Sequence, residues 1–221
     1  MIFDAIIFDF DGVLIESEYI SGQQVAAALT ALGHPTTVDQ ALDTFTGLGG
    51  NDFHNAVENW IGGPIPEGFH DARQTEDDRV MRDGLDAVAG AIDFVRALPA
   101  TLPRAIASSS TTRWIIRHLD HLGLRDAFGS HIYSGREHVM RGKPAPDIYL
   151  YAAAAIGADI KRTLIIEDSV VGVTGAVASG AHVVGLAVGK HCRDGHADKL
   201  RQRGAHYVAH SFDEIARLLT P

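Results

Sequence analysis

Several features are scarce in this chain, and each scarcity excludes something. Among 221 residues there is one cysteine, Cys192, so no intrachain disulfide can form and nothing asks for an oxidising compartment. A cytoplasmic setting is the expectation. Lysine and arginine are absent from residues 1–72, which carry eleven aspartates and glutamates, and the whole chain has a formal charge of -9. That balance removes the broad attraction on which nucleic-acid binders rely, so no nucleic-acid partner is expected. No basic, apolar leader precedes the first strand-like run, and secretion is not expected either. Residues 170–189 carry no Asp, Glu, Lys or Arg and are long enough to span a membrane. They also contain five glycines, Thr174, Ser179 and His182, and Gly180 divides a helix-like half from the β-branched run that follows, so no membrane span is expected.

What is present is an ordinary globular composition, 46% hydrophobic and 21% charged. Short apolar or β-branched runs recur at 5–8, 104–107, 131–133, 163–166, 182–188 and 207–209, each followed by turn residues or a helix-like stretch. Strands alternating with helices imply parallel pairing, hence an α/β fold with a doubly wound parallel sheet. Residues 17–83 break the rhythm with helical periodicity alone, at Val25, Leu29 and Leu32, at Ala41, Leu42 and Phe45, and at Phe53, Val57 and Trp60. They are expected to form a smaller helical domain inserted into a core made of 1–16 and 84–221. Gly47, Leu48, Gly49 and Gly50, and then Gly62, Gly63, Pro64, Ile65 and Pro66, read as its loops.

Four segments carry chemistry. Asp9 and Asp11 stand two apart where the first apolar run ends, the edge at which parallel sheets place their sites. Alone, such a pair is more often an ordinary acidic loop. Ser108, Ser109 and Ser110 follow the second run and lead into a helix, a junction that suits an anion but, taken alone, is more often a simple N-cap. Lys143 lies in a rigid lead-in to a helix whose first residue is expected to be Pro146, and a solvated surface lysine is the alternative. Glu167 and Asp168 end another apolar run. Four carboxylates at two strand ends would make a costly cluster without a cation, and hard oxygen ligands suit Mg²⁺.

These four segments, DFDGV at Asp9, SSS at Ser108, GKPAPD at Lys143 and IEDS at Asp168, resemble the motifs of the haloacid dehalogenase superfamily, in their family order and across most of the chain. The similarity lies with the helical-cap branch that includes phosphoglycolate phosphatases and β-phosphoglucomutases. The resemblance implies that Asp9 is a nucleophile forming an aspartyl-phosphate and Asp11 the acid and then the base. It matches Ser108, Ser109 and Lys143 to phosphate binding. It matches Asp9, the backbone carbonyl of Asp11 and Asp168 to Mg²⁺, with Glu167 acting through water. The implied activity is a Mg²⁺-dependent phosphatase acting on a small phosphorylated metabolite such as a sugar, sugar-acid or polyol phosphate.

Within that branch, Asp11 argues against a dehalogenase, and the absence of lysine from 17–83 argues against an imine-forming phosphonate hydrolase. A phosphosugar mutase is the main alternative. The mutases that the sequence resembles carry a histidine where Ser21 aligns and an arginine where Gly50 aligns. A non-catalytic binding protein on the same scaffold would be expected to have lost a motif. His191, Cys192 and His196 come nearest to metal-ligand spacing but match no standard zinc pattern, and Asp194-Gly195 reads as a turn. His118 and His121 read as structural, Phe53 and Trp60 as core of the helical domain, and Gly172–Gly180 as helix-to-sheet packing rather than a nucleotide loop.

Overall fold

The computed structural model describes residues 3–48 and 50–219. It divides into two compact units, one of Met1–Glu16 with Leu85–Pro221 and one of Ser17–Gly84. Among the described residues no helix is long and apolar enough to cross a membrane.

The larger unit is built on strands β1 (Ala5–Phe8), β2 (Arg104–Ser108), β3 (Ile132–Ser134), β4 (Thr163–Glu167), β5 (His182–Leu186) and β6 (Tyr207–Ala209), all paired in parallel in the order β3-β2-β1-β4-β5-β6. Strand β1 is Ala-Ile-Ile-Phe with every residue fully buried, the continuous apolar run of a strand covered on both faces. Its register is fixed on both sides, Phe8 standing opposite Ile106 of β2 and Ile166 of β4. From β1 the chain winds outward through β2 to β3, then returns to place β4, β5 and β6 on the other side. The order therefore reverses beside β1, and the carboxyl ends of β1, β2 and β4 face one crevice.

One core cluster packs Ile7, Ala105 and Ile165 against Ile148, Tyr149, Ala152 and Val173. Elsewhere Phe8 meets Phe94 and Phe128 edge to face at centroid distances of 6.1 and 5.5 Å, a geometry worth about 0.5–1.5 kcal/mol per pair beyond burial. Serving this sheet are α5 (Ala91–Ala97), α6 (Thr112–Leu122), α7 (Arg125–Phe128), α8 (Asp147–Ala155), α9 (Val170–Ala178), α10 (His196–Gln202) and α11 (Phe212–Leu219). Several expected boundaries shift. Helix α8 begins at Asp147, with Pro146 as the residue before its first turn, and β5 stops at Leu186 rather than Val188.

The smaller unit holds α1 (Ser17–Ala31), α2 (Val38–Phe45), α3 (Gly50–Ile61) and α4 (Glu67–Asp83) and no strand among its described residues. Thr37 and Gln40 cap α2 reciprocally, each side chain accepting from the other's backbone N–H, a motif worth on the order of 1 kcal/mol. Val25, Leu29, Phe45, Val57 and Phe69 form its core, with Phe53 and Trp60 packed against it. The indole N–H of Trp60 donates to Thr36 Oγ1 at 2.9 Å. Gly22 on α1 lets Leu42 approach closely, since a Cβ there would lie 2.5 Å from its Cδ2. Of the first expected loop, Gly50 is already in α3 and Gly49 lies outside the described residues.

Candidate active site

Three strand ends and one loop of the larger unit converge at the crevice. Beyond β1 the backbone N–H of Asp9 still bonds to Ile166 O at 2.9 Å, so the β1–β4 ladder carries Asp9 to the sheet edge. The turn after it needs Gly12 on two counts: its φ is +76°, and a Cβ would fall 2.0 Å from Asp168 Oδ2. From β4 come Glu167 and Asp168. Ser169 then caps α9 by accepting from Gly172 N, while Glu167 Oε2 accepts from the Ser169 N–H at 2.7 Å and hydroxyl at 3.0 Å. Gly172 leaves the space that the Glu167 carboxylate fills.

Lys143 is the hub. Its Nζ lies 2.5 Å from Asp9 Oδ1 and 2.7 Å from Glu167 Oε1, with the lysine side chain 4% exposed. Tyr149 on α8 donates its hydroxyl to Glu167 Oε1 at 3.1 Å and sets its ring 4.9 Å from the Lys143 ammonium. Burial works against the Lys143 charge, but Asp9 and Glu167 outweigh it and hold the ammonium protonated well above its usual range. Burial also drives the Asp9 carboxyl well up; Lys143 offsets that in part, and Glu167, Asp168 and Asp11 add to it. Burial and Glu167 do the same to Asp168.

One lysine thus faces three buried acids whose ligand atoms lie within 4.8 Å of one another. Asp168 Oδ1 is buried without a hydrogen-bond partner. An orphaned carboxylate oxygen in an all-oxygen donor set fits a hard divalent cation such as Mg²⁺.

Asp11 points elsewhere. Its Oδ2 accepts from the hydroxyls of Ser108 at 3.2 Å and Ser110 at 2.6 Å, and its Oδ1 accepts from the indole N–H of Trp114 at 3.0 Å. Thr111 caps α6 and thereby sets the helix face that carries Trp114. His118, one turn further on, packs against that indole in a tilted arrangement with ring centroids 4.1 Å apart and is fully buried. Ser109 is exposed on the turn, and Ser110 is the neighbour that reaches Asp11. Trp114 and Tyr149 were not singled out by sequence, and Ser110 was read only as part of the junction that follows the second apolar run, not as a partner of Asp11. Also unforeseen is the contact that His191 makes here, its Nε2 lying 2.9 Å from Asp168 Oδ2.

A family model described as "Hydrolase: haloacid dehalogenase-like hydrolase" matches residues 3–180. The chain belongs to this family. A HAD family hydrolase from Deinococcus radiodurans, solved with bound phosphate and sodium, is 35% identical, with a TM-score of 0.87 over 98% of this chain and 95% of that one. The 6-phosphogluconate phosphatase of Escherichia coli is 24% identical over 85% of this chain and 84% of its own length. The phosphorylated carbohydrates phosphatase of Thermotoga maritima is 25% identical over 80% and 82%. Within its family the chain is a phosphoric monoester hydrolase.

Proposed function

We propose that this protein is a cytoplasmic, Mg²⁺-dependent phosphatase of a small phosphorylated carbohydrate, a sugar, sugar-acid or polyol phosphate, working through an aspartyl-phosphate on Asp9. The observation that carries the reading is Lys143 buried between Asp9 and Glu167 beside the orphaned Asp168 oxygen. Mg²⁺ held by Asp9 and Asp168, with the backbone carbonyl of Asp11 and with Glu167 acting through water, would supply charge neutralisation for the phosphoryl group. Lys143 offers the same group a second fixed positive charge, and Ser108 and Ser109 with their backbone N–H groups receive its oxygens.

An Asp9 carboxylate oxygen bonds to phosphorus as the P–O bond to the sugar breaks, and Asp11 gives its proton to the departing alkoxide. Asp11 then takes a proton from water, whose oxygen attacks phosphorus and releases inorganic phosphate and the Asp9 carboxylate. Trp114 is a positioning residue, fixing the Asp11 carboxylate from one side while the serine hydroxyls hold the other. Trp114→Phe removes one donor and keeps most of the ring; kcat should fall about tenfold with KM nearly unchanged. An equal change in KM alone would rule out that role.

The phosphatase reading is favoured over a mutase by the helical unit. A mutase must grip a second phosphate, which calls for available cations. In this unit Arg79 is paired with Glu76 and Asp83, Arg82 with Asp83, and the Arg73 guanidinium sits over the Phe53 ring at 4.6 Å. Chelator-treated protein should release no phosphate from a panel of sugar, sugar-acid and hexitol phosphates, and added Mg²⁺ should restore release. Given β-glucose 1-phosphate with a trace of the bisphosphate, it should form free phosphate faster than glucose 6-phosphate. Isomerisation outrunning hydrolysis would replace the phosphatase by a mutase, and full activity without metal would remove Mg²⁺.

A further inference from the structure

The loop between β5 and α10 gathers three side chains that the catalytic reading leaves unused. The chain turns sharply after Gly189, with Cys192 N bonded to Gly189 O at 2.9 Å, and it turns again at Gly195 (φ +80°) into α10. The two turns bring His191, Cys192 and His196 together, with one ligand atom from each inside 4.8 Å. Space for the His191 ring is cleared from two directions. A Cβ on Gly189 would lie 2.6 Å from that ring, and one on Gly12 would lie 3.0 Å from its Cε1.

We propose that His191, Cys192 and His196 form a second metal site, selective for a borderline-soft divalent cation such as Zn²⁺, with Asp168 as the fourth ligand. Imidazole nitrogen and thiolate sulfur prefer such an ion, whereas the Asp9, Glu167 and Asp168 cluster offers oxygen alone and suits Mg²⁺. With Zn–N and Zn–S bonds of about 2.1 and 2.3 Å, neighbouring donors in a tetrahedron stand roughly 3.4–3.6 Å apart. Cys192 Sγ is already 3.5 Å from His191 Nε2. Asp168 Oδ2, at 2.9 Å from the same nitrogen, needs to withdraw by only about half an ångström.

His191 is buried, while Cys192 and His196 are half-buried, so an ion can enter from their side. Burial, with Asp168 and Glu16 nearby, keeps the Cys192 thiol protonated, pushed up to about 12. The bound ion replaces that proton, which leaves to solvent, and the same negative neighbours favour the cation.

The consequence for the proposed phosphatase, on whose Mg²⁺ assignment this part rests, is inhibition. Asp168 Oδ2 already touches His191 Nε2, and a zinc ion that holds Asp168 withdraws it from the catalytic cation. The two parts are tested separately. In metal-free full-length protein, one equivalent of Co²⁺ should give a near-ultraviolet thiolate-to-cobalt band. Cys192→Ser and Cys192→Ala should abolish the band and weaken zinc at least tenfold in competition with a chromogenic chelator. This readout needs no activity, so it stands even if no substrate is found. With Mg²⁺ in excess, micromolar Zn²⁺ should suppress phosphate release by the native protein and leave Cys192→Ser, whose basal activity is unchanged, largely active. A cobalt spectrum without thiolate ligation would overturn the site; equal zinc inhibition of Cys192→Ser would overturn its effect on catalysis.

Discussion

Asp9→Asn is expected to lower phosphate release by at least about four orders of magnitude, the scale on which a covalent nucleophile is lost. The residue is 5% exposed and its Oδ1 lies 2.5 Å from Lys143 Nζ, so an amide of the same shape can keep its oxygen on the ammonium and the fold intact. What disappears is the anionic oxygen that attacks phosphorus. Asp11→Asn should behave differently. That carboxylate accepts from Ser108, Ser110 and Trp114 and lies outside the Asp9–Glu167–Asp168 cluster, so metal affinity should be nearly unchanged while turnover falls about 10²–10⁴-fold.

p-Nitrophenyl phosphate separates the two roles, because its leaving group needs no proton. Asp11→Asn should then form the phosphoenzyme and stall at its hydrolysis, giving a stoichiometric burst of p-nitrophenol. Asp9→Asn should give no burst. Near-normal turnover by Asp9→Asn would mean that another residue is the nucleophile.

The parts of the fold that were legible were those written in short-range pattern. A strand buried on both faces has to be apolar throughout, so 5–8 and 163–166 announce β1 and β4, and the acids that end them announce the crevice. Asp9, Lys143, Glu167 and Asp168, up to 159 positions apart, lie together because register aligns the ends of β1 and β4 and the lead-in to α8 returns to them. Strand ends were less legible. The third strand is displaced by one residue from the expected 131–133 to Ile132–Ser134, since Ser134 pairs with Ser108 although neither is apolar.

Contacts set by tertiary placement were not legible at all. Trp114 reads as the apolar face of a helix, and nothing local says that its N–H meets a carboxylate 103 residues away. The His191, Cys192 and His196 spacing fits no standard metal pattern because the β5–α10 loop, through Gly189 and Gly195, makes the cluster. Arg104 is similar. It opens β2 as a buried cation, satisfied by the carbonyls of Leu102 and Val95 at 3.2 and 3.3 Å and by that of Pro99, an arrangement invisible in a run that reads simply as strand.

Lys143→Met is expected to cost both catalysis and stability, and the two losses should respond differently to Mg²⁺. The thioether fills most of the volume of the lysine stem, so the change isolates the charge. Turnover should fall about 10²–10³-fold, as for loss of one fixed donor to a developing phosphoryl charge. Stability falls because Asp9 and Glu167 lose their only ion-pair partner among the described residues. Breaking a buried pair from one side costs about 3–5 kcal/mol, or roughly 6–20 °C in Tm for a chain of this size. Lys143→Arg should not rescue either loss, since the planar fork cannot place one compact charge between Asp9 Oδ1 and Glu167 Oε1. Because a bound divalent cation neutralises the same three acids, Mg²⁺ should raise Tm by more in Lys143→Met than in the native protein while restoring little turnover. Calorimetry with and without Mg²⁺ checks this. A smaller Mg²⁺ effect in the variant would mean that Lys143 helps to build the cation site instead of sharing its charge burden.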